Sequence, residues 1–163
     1  MDAATRAELI ARYRAGHAAI LESLAGIDEA GLDARPADGG WTPREVVHHT
    51  ADSEMTSAIR LRRLVAEENP TIVGYDGNTF AERLHYADRP IEAALEAIAA
   101  SRSTTAEILD RLTEPEWART GTHTESGAYG VERWLEIYAF HCDEHADQIR
   151  RAREETTESR SSR

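Results

Sequence analysis

The sequence predicts an all-α four-helix bundle, and the prediction rests on three observations. Four long segments repeat apolar residues with the 3.6-residue period of an α-helix, whereas no stretch alternates convincingly as a strand does. These segments would place over half of the chain in helix, against roughly one third in an ordinary domain. The 163 residues suffice for one core, and no linker or internal repeat divides them. We expect one domain over residues 1–153 and a disordered polar tail over residues 154–163.

The first two predicted helices differ in how clearly they begin and end. The first covers about residues 3–24, with Gly26 as its stop signal. Its inward face carries apolar residues at helical spacing: Leu9, Ile10, Tyr13, Ile20, Leu21 and Leu24. The second covers about residues 43–68 and has the clearest start in the chain. Thr42 is its N-cap, proline fills the first helical position, and Glu45 completes a capping box.

A long connection, "NPTIVGYDGNTFAERLHYADRP", separates the second and third helices. Its length is unusual for a bundle loop, so we expect it to cross the bundle or to cover something. The third helix is predicted from about Pro90 to Leu112 and the fourth from about Val131 to Arg153. Between them, "TEPEW" predicts a short capped turn and "RTGTHTESGAYG" an irregular loop.

The charge balance excludes several classes of function. The net charge is -11, from 19 basic and 30 acidic residues, so we expect neither nucleic acid nor an anionic membrane as a partner.

No apolar run approaches the ~20 residues that span a bilayer, and the first residues do not resemble a signal peptide. All basic residues are arginine, which excludes Schiff-base catalysis and a P-loop lysine. A single cysteine, Cys142, fits a cytoplasmic protein without internal disulfides.

Two histidines interrupt the apolar face of the fourth helix. His141 and His145 are four residues apart and therefore lie one turn above each other. The same face carries Trp134, Ile137, Tyr138 and Ile149. Two imidazoles at this spacing can bind one metal ion, and half-exposed helix histidines are the ordinary alternative. The pair is not the zinc-protease motif, because Cys142 stands where that motif needs glutamate.

The second helix supplies a further histidine. His49 lies one turn before Ser53, whereas the adjacent His48 points about 100° away on a 3.6-residue helix. Three histidines from two facing helices would form a metal site with open positions, which is the pattern of catalytic rather than structural sites. Asp52 has the best spacing to orient a ring N–H, and a solvated helix carboxylate is the alternative interpretation.

The strings "WTPREVVHHTADSE" and "HCDEHADQI" resemble the DinB/YfiT-like family of metal-dependent enzymes. The resemblance covers nearly the whole chain, and "NPTIVGYDG" and "LTEPEW" look especially like the YfiT branch. It implies a four-helix bundle with up-down-down-up topology, a long crossover between helices 2 and 3, and a homodimer. It also implies a divalent metal ion held by His49, His141 and His145. The adjacent His48 is the alternative to His49 as the ligand from the second helix.

The metal suggests two reactions. A bound divalent ion lowers the pKa of a thiol or a water molecule, and zinc, nickel, iron or manganese suits three imidazoles. Thiol activation would make the protein a thiol S-transferase, similar to bacillithiol S-transferases and mycothiol-dependent maleylpyruvate isomerases, with a small-molecule thiol and an electrophile as substrates. Water activation would make it a hydrolase. The absence of an obvious general base favours the thiol, although Asp52, Glu54 or Glu144 could serve. The rival class is a non-catalytic metal-binding stress-response module.

Overall fold

The computed structural model describes residues 1–161, which form four long helices, three short ones and a small sheet. The helices are α1 (Ala3–Ser23), α2 (Glu29–Leu32), α3 (Pro43–Ala66), α4 (Gly77–Arg83), α5 (Glu92–Leu109), α6 (Glu114–Trp117) and α7 (Val131–Ser161). The strands are β1 (Thr71–Ile72), β2 (Thr120–His123) and β3 (Gly127–Gly130), and a 3-10 turn covers Tyr86–Asp88. The long helices α1, α3, α5 and α7 are those that the apolar periodicity predicts.

The four long helices pack as a bundle in which α1 and α3 each contact both α5 and α7. Side-chain contacts fix their directions. The starts of α1 and α7 meet where Arg6 binds Glu132, and Arg153 of α7 reaches the end of α1, so these two helices run parallel. By the same reasoning α3 runs antiparallel to α7, parallel to α5, and α5 antiparallel to α1. The topology is therefore up-down-down-up, and the predicted fold class is confirmed.

The core consists of two apolar clusters, one towards each end of the bundle. The larger residues of one are Tyr13, Leu61, Leu64, Ile72, Trp134 and Leu135, and those of the other are Ile20, Val46, Val47, Ile98 and Ile149. Between these clusters each long helix contributes a small or polar residue: Gly16, Glu54, Arg102 and His141. This central polar layer, defined by these four residues, interrupts the apolar core at mid-height.

The local signals at the start of α3 are confirmed. The Thr42 hydroxyl accepts from the Glu45 backbone N–H at 3.2 Å, and the Glu45 carboxylate accepts from the Thr42 N–H at 2.8 Å. This capping box satisfies amide groups that would otherwise lack partners at a helix end. A second capping box, between Thr113 and Glu116, forms the predicted turn at α6.

The loop predicted as irregular, "RTGTHTESGAYG", is instead a β-hairpin. Strands β2 and β3 pair antiparallel, with Thr120 opposite Gly130, and β1 from the crossover pairs parallel with β2. The strands are too short and too rich in glycine for alternation to show in the sequence. Gly127 supplies the positive φ of 77° that the turn needs. The hairpin thus ties the crossover to the end of the bundle.

Three further differences from the predictions concern helices α2, α4 and α7. The short helices α2 and α4 have no prediction, because neither is long enough to show a 3.6-residue period. Helix α7 extends through Ser161, beyond the predicted end at Arg153. The predicted tail over 154–163 is therefore helix as far as it is described, and residues 162–163 lie outside the described residues. None of the described helices combines the length and hydropathy that crossing a membrane requires.

Candidate metal centre

The structure brings the three predicted ligands together between α3 and α7. His49, His141 and His145 each offer one ring nitrogen, and these three atoms lie within 4.8 Å of one another. The His141 and His145 rings are perpendicular, with centroids 4.6 Å apart, and the His49 ring centroid lies 4.9 Å from that of His145. All three side chains are partly buried.

Hydrogen bonds orient the two α7 histidines so that the same ring atom of each faces inward. The Nδ1 of His141 lies 2.8 Å from Oε1 of Glu54, and the Nδ1 of His145 lies 3.0 Å from Oε1 of Gln148. An acceptor on Nδ1 places the proton there and leaves the Nε2 lone pair free for a metal ion. The two Nε2 atoms are 3.2 Å apart.

This donor set fits a divalent metal ion. Two imidazole nitrogens bound to one tetrahedral zinc at the usual bond length would be about 3.3 Å apart, close to the 3.2 Å between the Nε2 atoms of His141 and His145. His49 also fits the role of a metal ligand, because its buried Nδ1 has no hydrogen-bond partner among the described residues. A buried polar atom without a partner is costly in a native protein, and a ligand set is one place where it is found.

Protonation also favours metal binding. Burial lowers the pKa of His49 to about 3, and the positive charges that His145 and His141 can carry contribute in the same direction. Burial and the neighbouring His141 lower the pKa of His145 to about 4. Both imidazoles are therefore neutral near pH 7, which is the form that binds a metal ion.

His49 is positioned by aromatic packing and by close approach of the crossover. The Trp41 ring packs on the His49 ring at a centroid distance of 4.5 Å. Gly77, the first residue of α4, lies against both rings: a Cβ there would be 3.2 Å from the Trp41 ring and 3.3 Å from Cε1 of His49. Asp76 fixes this approach by capping α4 through the Thr79 N–H. The connection predicted to cover something therefore covers His49, one of the three candidate ligands.

A buried ion pair holds the Nδ1 side of the His141 ring. Oε1 of Glu54, which accepts from His141, also accepts from Arg102 at 2.6 Å, and the two charged side chains are 0% and 2% exposed. Arg102 donates further to the Tyr13 and Tyr138 carbonyl oxygens at 2.7 and 3.1 Å. These bonds satisfy a charge that would be expensive to bury alone. The orienting carboxylate of this site is thus Glu54, in the central polar layer.

The lone cysteine contributes to this layer and not to the ligand set. Cys142 is fully buried, and its Sγ lies 2.9 Å from an Arg102 nitrogen and 3.6 Å from Glu54. Glu54, His141 and Cys142 could in principle hold a second ion, but the Arg102 guanidinium already occupies the space between Glu54 and Cys142. Burial raises the pKa of the Cys142 thiol above its usual range, so the thiol is neutral.

The other candidates take different positions. The carboxylate of Asp52, the residue with the best spacing for orienting a ligand, accepts from the Tyr86 hydroxyl instead of from a ligand histidine. His48 is buried, stacks on Tyr86 at 5.7 Å and bonds the Arg89 carbonyl through Nε2 at 3.1 Å. Asp52 and His48 therefore connect α3 to the crossover through their contacts with Tyr86 and Arg89. Glu144 is exposed.

The roles of Glu54 and Arg102 escape the prediction, although the sequence contains a signal for each. Glu54 lies seven positions after Val47 and seven before Leu61, on the inward face of α3. Arg102 follows the inward-facing Ile98 by four positions on α5. Two opposite charges on buried faces of different helices could have been paired on this ground. Asp52 has a closer sequence spacing to His49 but lies off that face.

Three partly buried histidines from two helices of a four-helix bundle, with their ring nitrogens within 4.8 Å of one another, are the arrangement of a class of helical metal-binding proteins. Within that class the chain belongs to the DinB superfamily, whose profile matches residues 4–149.

Individual relatives agree with this assignment. A protein of Oceanobacillus iheyensis, provisionally named a metal-dependent hydrolase, is 40% identical over 118 residues, which are 72% of this chain and 68% of the relative. A Bacillus mycoides protein with the same provisional name is 32% identical over 135 residues, or 83% and 78% of the two chains.

Two solved structures share the fold. YfiT from Bacillus subtilis, described as a probable metal-dependent hydrolase with an unusual four-helix bundle topology, superposes with a TM-score of 0.90 at 25% identity, over 96% of this chain and 90% of YfiT. A mutant of a mycothiol-dependent maleylpyruvate isomerase superposes with a TM-score of 0.71 at 13% identity, over 88% and 60% of the two chains. This second likeness concerns the fold alone.

Proposed function

We propose that the protein is a metal-dependent thiol S-transferase, in which His49, His141 and His145 hold one divalent ion. When bound, the ion lowers the pKa of a small-molecule thiol, so that a sulfur nucleophile is available near neutral pH. Zinc and nickel suit three imidazoles best, and iron and manganese are also compatible. The convergence of the three ring nitrogens within 4.8 Å supports the metal site.

The engaged carboxylates support a thiol as the nucleophile. Water activation commonly uses a nearby carboxylate to accept a proton. Here Glu54 is held by Arg102 and His141, and Asp52 is held by Tyr86. A thiol needs less help, because its pKa of about 8.5 is already near neutrality before a metal lowers it. The product is a thioether or another thiol adduct of the electrophile.

Hydrolysis is the second candidate, and the provisional names of the relatives favour it. In that reaction the ion would lower the pKa of water instead of that of a thiol. A non-catalytic metal-binding module would hold the ion with neither reaction.

An activity screen separates these candidates. Zinc-loaded and nickel-loaded proteins are incubated with monochlorobimane and either bacillithiol or mycothiol, and with a panel of esters and amides. We expect the sulfur–carbon bond to form with release of chloride, faster than with metal-free protein or with the His145→Ala variant. Ester or amide hydrolysis without thiol turnover would replace the proposal with the hydrolase, and no turnover of either kind would leave the binding module.

We also propose that the protein is a cytoplasmic homodimer. Met55 and Ile59 lie one turn apart on α3 and are 42% and 58% exposed, so they form an apolar pair that a second copy of the chain would cover. The single cysteine fits a reducing compartment. Sedimentation of the protein and of a Met55→Glu, Ile59→Glu double variant tests the dimer: a monomeric wild type would exclude it.

A further inference from the structure

An arginine shares the face of α3 that carries the candidate ligand His49. Arg60 is on α3, eleven positions after His49 and seven after Ser53, which places all three on one face of the helix. One terminal nitrogen of Arg60 is 2.6 Å from the Val73 carbonyl oxygen, and the other is 3.4 Å from the Tyr138 hydroxyl. Its guanidinium carbon is 5.8 Å from the centre of the Tyr75 ring.

Arg60 also lacks an ion-pair partner in the part of the chain that the structure describes. No Asp or Glu of the described residues forms an ion pair with it. Its Nε is buried and has no hydrogen-bond partner in the described part of the chain. In a chain with 30 acidic and 19 basic residues, a partly buried arginine has many possible carboxylate partners. Its location without one indicates a group kept for an anion that comes from outside.

Hydroxyl groups connect Arg60 to the metal centre. The Ser53 hydroxyl is 3.1 Å from Nε2 of His141, the ring nitrogen that faces the metal position. Burial raises the pKa values of the Tyr75 and Tyr138 phenols, and the nearby Ser53 hydroxyl partly counters this rise. The Tyr138 ring also packs on His141 at 5.2 Å. The hydroxyl groups of Ser53, Tyr75 and Tyr138 therefore lie between the histidines and Arg60.

The spacing sets the size of molecule that could bridge the two positions. Seven helical positions correspond to about 10 Å along the axis, and a helical side chain leans back towards the helix N-terminus. The Arg60 guanidinium therefore reaches back towards Ser53, so its distance from the level of the histidine ring nitrogens is less than the axial separation of about 10 Å. Imidazole ligands bring no negative charge, so a bound divalent ion would keep its two positive charges, and both ends of this gap would attract negative groups.

We propose that Arg60, with Ser53, Tyr75 and Tyr138, forms a subsite that binds a carboxylate group of the substrate beside the metal centre. The subsite rests on the proposed function for the metal at its other end. It deepens that function by restricting the substrates to molecules that carry a carboxylate a few bonds from the reacting atom. The carboxylate can belong to the thiol or to the electrophile.

Calorimetric titration of the zinc-loaded protein with malonate, succinate, glutarate and adipate tests the subsite without requiring turnover. We expect one chain length to bind best, and Arg60→Gln to weaken that binding roughly ten- to a hundredfold, the value of a hydrogen-bonded charge. Arg62→Gln is the matched control: it lies two positions away on α3, and its bonds go to Ala58, Thr104 and Thr105. Equal affinities for the Arg60 and Arg62 variants would overturn the subsite.

Two further measurements guard against a general loss of structure. Because Arg60 also holds the Val73 carbonyl, thermal unfolding of each variant is recorded, and Tyr138→Phe removes only the hydroxyl that contacts Arg60. We expect Tyr138→Phe to weaken dicarboxylate binding several-fold. In the wild type, the diamide of the best dicarboxylate should bind at least tenfold more weakly; equal binding of the diamide would also overturn the proposal.

Turnover then identifies the molecule that carries the carboxylate. Methyl esters are made of the thiol in one arm and of a carboxylated electrophile in the other. The arm in which esterification lowers kcat/KM in the wild type, but not in Arg60→Gln, identifies the source. Thiol turnover that is insensitive to Arg60→Gln in both arms would reject the subsite alone. Dicarboxylate binding that depends on Arg60 without any turnover would reject the proposed function alone.

Discussion

Glu54 is the residue on which the metal centre and the core both depend. Its Oε1 accepts from His141 and from Arg102, so one oxygen atom links a ligand histidine to a buried cation. The hydrogen bond fixes the proton on Nδ1 of His141, and the ion pair places the Arg102 guanidinium against the buried carboxylate.

Replacing Glu54 by glutamine should affect stability and metal affinity together. The amide can still accept from His141, but it leaves the Arg102 charge buried without a counterion. We expect the free energy of unfolding to fall by about 3–5 kcal/mol and the metal affinity to fall roughly ten- to a hundredfold. Denaturant unfolding and competition with a chelator measure these effects. Exposed Glu96 on α5 provides the control Glu96→Gln, and equal stability of the two variants would refute the role of the ion pair.

The adjacent histidines of α3 should separate metal binding from packing. His49→Ala removes a ligand, whereas His48→Ala removes the contacts of a buried ring with Tyr86 and the Arg89 carbonyl. We expect His48→Ala to keep its metal and to lose about 1–3 kcal/mol of stability, since a buried acceptor loses its partner. Metal analysis and thermal unfolding test this pair; loss of metal from His48→Ala would show that its ring belongs to the ligand set.

At this scale the sequence predicts the ligand histidines but not their support. His141 and His145 follow from helical spacing, because side chains four residues apart share a face, whereas the choice of His49 over His48 also rests on the resemblance to the DinB/YfiT-like family. The role of Glu54 depends on how α3 is rotated against α5 and α7, and one sequence does not give that rotation. Asp52 is closer in sequence but points to Tyr86.

At the scale of the elements, the central polar layer interrupts the apolar core at one height, and each of the four long helices contributes a residue to it. The central polar layer lies between two apolar clusters, and α1 provides its smallest member. A Cβ on Gly16 would lie 2.7 Å from an Arg102 nitrogen and 2.8 Å from Cβ of Cys142. The absence of a side chain at this position therefore lets α1 close over the ion pair.

Gly16→Ala should consequently be destabilising. In an ordinary helix interior, exchanging glycine for alanine stabilises by about 0.5–1 kcal/mol. Here the added methyl group would collide with Arg102 and Cys142, and we expect a loss of about 1–3 kcal/mol, the usual cost of overpacking. The sign of the change in a urea unfolding experiment is the readout, and a more stable variant would contradict the close packing of the layer.

The elements that the sequence predicts well are those with repeated signals. Helix α3 begins with a complete capping box, and the four bundle helices each show several turns of apolar period. The hairpin of β2 and β3 escapes prediction because each strand has four residues and contains glycine. Its position depends on pairing with β1, which is distant in the chain. Helix α4 is likewise fixed by its contact with the metal centre through Gly77.

On the scale of the whole molecule, the metal ion would add a further link between α3 and α7, which already contact each other through packing and hydrogen bonds. Its candidate ligands come from α3 and α7, which run antiparallel, and Gly77 of the crossover lies against His49 and against Trp41, the residue that packs on His49 from before α3. Any ion that binds the folded chain and not the unfolded chain must raise stability by mass action.

Metal removal should therefore lower the melting temperature. With free metal at a hundredfold excess over Kd, the stabilisation is about 2.7 kcal/mol. For a chain of this size, that corresponds to roughly 5–10 °C. Thermal unfolding with zinc and with a chelator measures the shift. His145→Ala should melt at the same temperature under both conditions, and an equal zinc-dependent shift in that variant would place the stabilising ion elsewhere.

The most direct test of the central claim is the metal content of the wild type and of its His49→Ala, His141→Ala and His145→Ala variants. Each protein is saturated with zinc, freed of excess metal by gel filtration and analysed for the element, with exposed His85→Ala as the control. We expect one zinc per chain in the wild type and the control, and loss of most of the zinc in each of the three ligand variants. Stoichiometric zinc retained in all three would contradict the three-histidine site.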